Sequence, residues 1–514
     1  MSEQKKGKID FDNIKQVIDH HKKEIQDLYL QDQMPWVIGY SGGKDSTAIT
    51  QLIWNALKDL PKEKRHKDVW VITTDTLVEN PIVAQWVNYS LEIMEKNAQK
   101  ENLPIYTKLL TPPAKDSFWT NLIGKGYPAP RHGFRWCTNR LKIDPVSAFV
   151  ETFKEDDKQV IIVIGARSAE SAARSSVLKK RESTGTRKNL SQHNSMSNAL
   201  VYAPIKDWDN DDVWLYLMEH KNPWGINNKD LFDMYRGATQ DKECPLVIDT
   251  TTPSCGSSRF GCWVCTLVEK DKSMSAMIQN DKEKEWMAPL LKFRNELDFR
   301  SDEINTDRDK RDFRRLSGNV VWMSDKDREV PGPYTQDARK DFLTKLLQTQ
   351  KEIQENPKSP PEVKDINLIQ LEELHEIRRI WVLEKHETED LLPIIYENVL
   401  GKVFPKQLLD DRQPFGKEEL ELLKEIIGDD DLHFELCRSL LSVERQHSIN
   451  DTKKKLLNDL KEQFKRSYYE NVEDARSSAK KLSTISDIKK NIQQKSFDLD
   501  SLKDAADIAK KEVS

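Results

Sequence analysis

With 514 residues, 37% of them hydrophobic and 32% charged, and a formal net charge of −5, the chain is long enough for about three domains with sizeable cores. It is not basic overall, so any contact with nucleic acid has to come from local patches. No apolar run approaches a membrane span, and the lysine-bearing start, Met1 to Ile9, lacks a signal-peptide core, which points to a cytoplasmic protein with no membrane partner.

The first 34 residues read as helix leading into the core, with Phe11, Ile14, Val17, Ile18, Ile25 and Leu28 along one face. Trp36 to Gly39 then reads as a buried strand. It is followed by Ser41-Gly42-Gly43-Lys44-Asp45-Ser46 and a helix marked by Ala48, Leu52, Ile53 and Ala56. Two glycines let the backbone turn sharply, and the unpaired N–H groups of the first helical turn then face whatever sits in the turn, which suits an anion. The four-residue spacer of the Walker loop is absent, so this is a phosphate cradle of another kind.

Val69 to Thr76 is the next apolar run. A helical stretch from Asn80 to Asn97, a strand from Pro104 to Leu110 and a strongly apolar strand from Gln159 to Gly165 follow. Strands alternating with helices imply an α/β fold with a doubly wound, mostly parallel sheet. Ligands collect beyond the carboxyl ends of such strands, where Ser41, Asp75 and Arg167 would project. Asp75 has two readings, a turn or cap residue and a contact to a nucleoside.

From Arg167 to Lys188 the chain carries seven basic residues, Arg174 among them, against Glu170 and Glu182, with few large apolar side chains. That composition suits either a solvated loop or a segment that orders on a phosphate-rich partner. Six cysteines are too few for a disulfide framework. Four of them, Cys244, Cys255, Cys262 and Cys265, lie close together and end in Cys-x-x-Cys, so three thiolates could converge on one centre. Zinc and a four-iron cluster both fit such a set. Helical stretches follow over Lys270–Asn280 and Glu283–Phe293, and Asn356-Pro357-Lys358-Ser359-Pro360-Pro361 reads as a linker. Stripes such as Leu368, Leu371, Leu374 and Ile377 indicate an all-helical extension beyond it.

Ser-Gly-Gly-Lys-Asp-Ser resembles the PP-loop of the ATP pyrophosphatase superfamily. Arg135-Trp136-Cys137, the segment Gly165-Ala166-Arg167-Ser168-Ala169-Glu170-Ser171-Ala172-Ala173-Arg174, and Pro204-Ile205-Lys206-Asp207-Trp208 with Asp212-Val213-Trp214 resemble the phosphosulfate reductase branch, in the same order. Cys255-Gly256-Ser257-Ser258-Arg259-Phe260-Gly261-Cys262-Trp263-Val264-Cys265 is similar to DndC-type sulfurtransferases of DNA phosphorothioation. The resemblance covers roughly residues 35 to 275. It implies an enzyme that uses ATP and Mg2+, with Ser41, Gly42, Gly43, Lys44, Asp45, Ser46 and Asp75 at the nucleotide and Lys44, Asp45, Arg167 and Arg174 in catalysis. It also implies a 4Fe-4S cluster on Cys137, Cys255, Cys262 and Cys265. This sequence departs from the cluster-bearing reductases, which carry adjacent cysteines, because Thr138 follows Cys137; Cys244 would stay outside the cluster, as a spare ligand or sulfur carrier. The implied partners are DNA, a cysteine desulfurase as sulfur donor, and other phosphorothioation proteins through the helical C-terminus.

The division that follows is a lead-in over 1–34, the PP-loop domain over 35–220, a cysteine-rich region over 221–330 and a helical extension over 331–514. Three alternatives share parts of this pattern: a phosphosulfate reductase, a tRNA thiolation enzyme, and a nucleotide-gated scaffold of a DNA-binding complex. The reductases place a catalytic cysteine in a short C-terminal tail, whereas the last cysteine here is Cys437 in a helical context.

Overall fold

A computed structural model describes residues 13–156, 159–170, 189–193, 196–239, 260–299, 307–322, 329–405, 409, 417–447, 453–467, 469–482 and 484–485. Helix α1 (Ile14–Leu30) leads into strand β1 (Trp36–Gly39), α2 (Lys44–Lys58), β2 (Val69–Thr74), α3 (Pro81–Lys100) and β3 (Ile105–Leu110). A single turn α4 (Trp136–Thr138), α5 (Asp144–Thr152), β4 (Val160–Val163), β5 (Leu190–Gln192), β6 (Ala199–Tyr202), α6 (Asn210–Glu219) and α7 (Asn228–Gly237) follow. Helices then dominate the C-terminal region, including Leu371–Arg379, Asp431–Gln446 and Lys453–Ser467.

The strands form one six-stranded sheet in the order β3-β2-β1-β4-β6-β5. All neighbours are parallel except β5 against β6. Both faces are covered. Ile38, Val69, Val71 and Val163 share a core with Ile49, Leu52 and Ile53 of α2 and Tyr29 of α1, while Val37, Ile72 and Ile162 pack with Val150 of α5. Burial on both faces is why these strands read as continuous Val/Ile runs rather than alternating ones.

The sheet order steps outward from β1 through β2 to β3 and then returns to the other side of β1 for β4. The crevice between the carboxyl ends of β1 and β4 is therefore the topological switch point, where open α/β sheets bind ligands. The loop Ser41–Gly43 leaves β1 on one side of it and Ile164–Arg167 leaves β4 on the other.

The chain divides into two compact units. The first takes residues 1–118, 129–298 and 349–369, and holds the sheet; the second takes 119–128, 299–348 and 370–514. The proline-rich stretch 356–361 is packed in the first unit rather than acting as a free connector. Ser359 is buried with its hydroxyl donating to the Ile353 carbonyl (2.7 Å), and Lys358 pairs with Glu285 (2.7 Å). The helix expected over Glu283–Phe293 is a 3-10 turn, Lys282–Met287, followed by an α-helix, Ala288–Leu297, because Pro289 fits only the first turn of a new helix. No helix among the described residues is long and apolar enough to cross a membrane.

Candidate nucleotide and thiolate site

Gly42 sits at φ +71°, and a Cβ there would lie 2.5 Å from Val87 Cγ2, so the turn needs glycine for its conformation and for its space. Gly43 is the N-cap of α2. Ser46 ties the loop together: its hydroxyl donates to the Gly43 carbonyl (2.9 Å) and accepts from the Ser41 N–H (3.1 Å). Trp86 on α3 donates its indole N–H to the Gly42 carbonyl (3.1 Å), and the Tyr235 hydroxyl accepts from the Lys44 N–H (3.4 Å). Tyr235 thus meets one of the first-turn amides that makes a helix N-terminus attractive to anions.

Asp45 spans the switch point. Its carboxylate accepts from Arg167 Nε at 2.7 Å and lies 3.5 Å from Lys44 Nζ, with Lys44 and Arg167 both buried. Gly165 makes the approach possible, since a Cβ there would stand 3.0 to 3.2 Å from Asp45 atoms. A buried arginine and lysine, an ordered glycine turn and a helix N-terminus together form a cationic crevice suited to a polyphosphate.

Asp75 ends β2 at the same edge. Its Oδ1 accepts from the Leu77 N–H at 2.8 Å, which makes it a turn residue, and burial raises its pKa while that bond lowers it. Leu77 itself is held at φ +64°, an uncommon conformation for a non-glycine residue. The segment just beyond it receives the cysteines. Glu79 bridges Cys262, and the Trp263 N–H donates to the Val78 carbonyl (2.9 Å), so the Cys-x-x-Cys turn docks on the outlet of β2. Thr76 Oγ1 is 3.3 Å from Cys262 Sγ and bonds Glu79 at 3.1 Å.

Cys137 lies in α4 and interacts electrostatically with Cys265, as does Cys262. Burial, then the Cys265 charge, raises the Cys137 thiol; burial and Glu79 push the Cys262 thiol up to about 12. Lys142 stands 3.3 Å from Glu79, and although burial opposes its charge, Cys262 and Glu79 hold its pKa above the ordinary value. Three soft donors therefore share one neighbourhood, the chemistry that thiophilic metals and iron–sulfur clusters require. Among the described residues no three His, Cys, Asp or Glu side chains make up a metal site. Cys255, the fourth ligand implied by the resemblance, lies outside the described residues, as do Cys244, Arg174 and positions 171–188 of the basic segment.

Residues 35–267 match the phosphoadenosine phosphosulfate reductase domain model. The stretch from β1 to the Cys-x-x-Cys turn is thus similar to phosphosulfate reductase domains. An uncharacterized protein of Methanocaldococcus jannaschii is 28% identical over 235 residues, 43% of this chain and 42% of the relative, so the chain spans less than half of that relative's length. Among solved structures, phosphoadenylyl-sulfate reductase from Candida auris in a phosphate complex aligns at 14% identity and a TM-score of 0.25, over 44% of this chain and 93% of that one. The U34-tRNA thiolase NcsA from Methanococcus maripaludis, with its 4Fe-4S cluster, aligns at 11% identity and a TM-score of 0.27, over 57% and 82%.

Three residues of the first unit carry no signal in the sequence: Trp86 and Tyr235 at the loop, and Arg294 at the cysteines. Arg294 is buried, pairs with Asp298 (3.1 Å) and donates from Nε (2.9 Å) and Nη2 (2.8 Å) to the Cys265 carbonyl, which fixes the turn. No local pattern marks it, because in sequence it is one more charge on a helix.

Proposed function

We propose that the chain is an ATP-dependent sulfurtransferase of DNA backbone phosphorothioation, in which adenylation activates a phosphodiester before sulfur enters it. The observation that carries the reading is the shared sheet edge: the Ser41–Ser46 loop with Arg167 at the switch point, and Cys137, Cys262 and Cys265 at the neighbouring outlet of β2. A nucleotide-activating crevice and a set of sulfur ligands on one edge suit a reaction that must activate an oxygen and then replace it.

In this reading a non-bridging oxygen of the DNA phosphate attacks the α-phosphorus of ATP and pyrophosphate leaves. A persulfide or cluster-bound sulfur, supplied by a cysteine desulfurase, then attacks the activated phosphorus and AMP departs with the oxygen; where the carrier is a persulfide, a second thiolate attacks its inner sulfur, forming a disulfide with the carrier and leaving the outer sulfur on phosphorus. A phosphodiester oxygen is a poor leaving group until it is adenylated. Lys44, the first-turn amides of α2 and Arg167 stabilise the charge gathering on pyrophosphate, and Asp45 holds Arg167 in place. Ser41, Gly42, Gly43 and Ser46 shape the loop, Asp75 borders the nucleoside end and Arg174 adds a further cation. Magnesium, where bound, adds Lewis-acid charge neutralisation to the same phosphates. Cys137, Cys255, Cys262 and Cys265 would hold a 4Fe-4S cluster, which would supply thiophilic iron for handling sulfur.

The test is mass spectrometry of nuclease-digested DNA from cells with and without this gene and its partner genes. Sulfur-bearing dinucleotides should appear only with the gene. Pyrophosphate release stimulated by tRNA and not by DNA would instead place the activity with tRNA thiolation.

A further inference from the structure

Between Ala129 and Ile143 the chain carries four cations, Arg131, Arg135, Arg140 and Lys142, and no carboxylate, in a protein whose net charge is −5. The first part of this stretch is a tight hairpin. Arg131 and Phe134 exchange backbone hydrogen bonds (3.3 and 2.7 Å), which puts His132 and Gly133 at the tip, and a Cβ on Gly133 would meet nothing within 4 Å. Arg131 through Arg135 are all exposed, and Phe134, at 41%, is one of the few large aromatic side chains left in water among the described residues.

Both ends of this hairpin are anchored at the thiolates. Thr266, next to Cys265, donates its hydroxyl to the Pro130 carbonyl at 2.6 Å. Trp136, next to Cys137, is buried and stacked on Phe118 with centroids 5.4 Å apart. Arg135 Nη2 lies 3.0 Å from His132 Nδ1. A rigid base, an exposed cationic tip and an exposed aromatic ring are what a phosphate-rich strand with stackable bases would engage.

We infer that the Arg131–Arg135 hairpin is a clamp on the DNA backbone: Arg131 and Arg135 take phosphates, Phe134 lies against a base, and one phosphodiester is thereby held beside Cys137. The inference rests on the DNA reading above and adds to it the surface that receives the acceptor.

The experiment is fluorescence anisotropy of the full chain with a short labelled DNA, titrated between about 50 and 200 mM salt. Arg131→Ala/Arg135→Ala should bind about tenfold or more weakly at low salt and lower the slope of log K against log salt by about two, one per lost phosphate contact. Arg131→Lys/Arg135→Lys should keep the wild-type slope, and a melting curve unchanged from the wild type verifies that the alanine variant is folded. Phe134→Ala should weaken binding about tenfold while leaving the slope unchanged. Wild-type affinity and slope in the double alanine variant, with the parent binding DNA, would overturn the clamp and leave the DNA reading standing. A parent that binds DNA with no salt-dependent affinity would remove both.

Discussion

The second unit and the sheet edge of the first bury charge in different ways. In the second, buried arginines have carboxylates of their own: Arg339 with Glu387, Arg314 with Asp312 (2.9 Å) and Glu435 (2.6 Å), Arg378 with Asp390 (2.7 Å) and Arg438 with Glu389 (2.9 Å). At the sheet edge of the first, Lys44 and Arg167 lean on the same carboxylate, Asp45. Giving each buried arginine at least one carboxylate of its own is how a helical unit tolerates charge inside. Crowding cations around a glycine turn is how a sheet edge prepares for a polyanion.

Breaking a pair in the second unit should give the largest loss of stability. Glu387→Ala leaves Arg339, only 3% exposed, without that carboxylate, and should cost about 3–5 kcal/mol in guanidinium unfolding. Nucleotide binding by the first unit should be retained. A variant that unfolded like the parent would mean that the pair is not the internal support described above.

At the sheet edge the same kind of change should show in turnover. Asp45→Ala releases Arg167, and Ser46→Ala removes the hydroxyl that joins Ser41 to Gly43. Each should slow ATP-dependent pyrophosphate release about a hundredfold or more, the usual cost of losing one organised charge-stabilising contact. Melting should move little in Ser46→Ala, whereas Asp45→Ala should also melt earlier, since it takes that carboxylate from the buried Arg167. Sulfur incorporation that survived either change would favour the scaffold reading over the enzyme.

How much of this was legible beforehand follows from the range over which each feature is encoded. The loop, β1, β2, β3 and β4 are local patterns and all are readable: β1, β2 and β4 are apolar runs of parallel strands covered on both faces, and β3, at the sheet edge, is a short extended segment opening after Pro104. Strands β5 and β6 were missed: Leu190–Gln192 and Ala199–Tyr202 are three and four residues long and form only by pairing with each other and with β4. That Ser41, Asp75 and Arg167 share one sheet edge could be inferred from topology, since the strand ends lie side by side there. Tyr235 on Lys44, Trp86 on Gly42 and Arg294 on Cys265 could not, because each is a contact between distant segments with no spacing rule behind it.

Gly42→Ala tests the loop at intermediate size. The residue is at φ +71° and an added Cβ would lie 2.5 Å from Val87, so alanine brings both a strained backbone and an overpacked contact, together about 1–3 kcal/mol. The first unit should melt earlier and ATP should bind more weakly, by isothermal calorimetry. Binding that stayed at the parent's level would show that the turn relaxes away from Trp86 and Val87 without losing its cradle.

The smallest effect returns to the second unit and depends on pH. Burial, reinforced by the neighbouring Arg339 and only partly offset by Glu387, pushes Lys385 down to about 7. In the unfolded chain a lysine titrates near its ordinary value of about 10.4, so between those two values the unfolded state holds a proton that the folded state has released. Stability from this group therefore rises with pH across that window and is flat below about 7, where both states are protonated and the full penalty of a desolvated ammonium persists. Lys385→Met removes the penalty. Its unfolding midpoint in guanidinium should exceed the parent's at neutral pH, and the gap should narrow steadily as the buffer is raised toward pH 10. A gap that stayed constant would mean that Lys385 keeps its ordinary affinity for the proton, and that the charges gathered around Arg339 support it rather than oppose it.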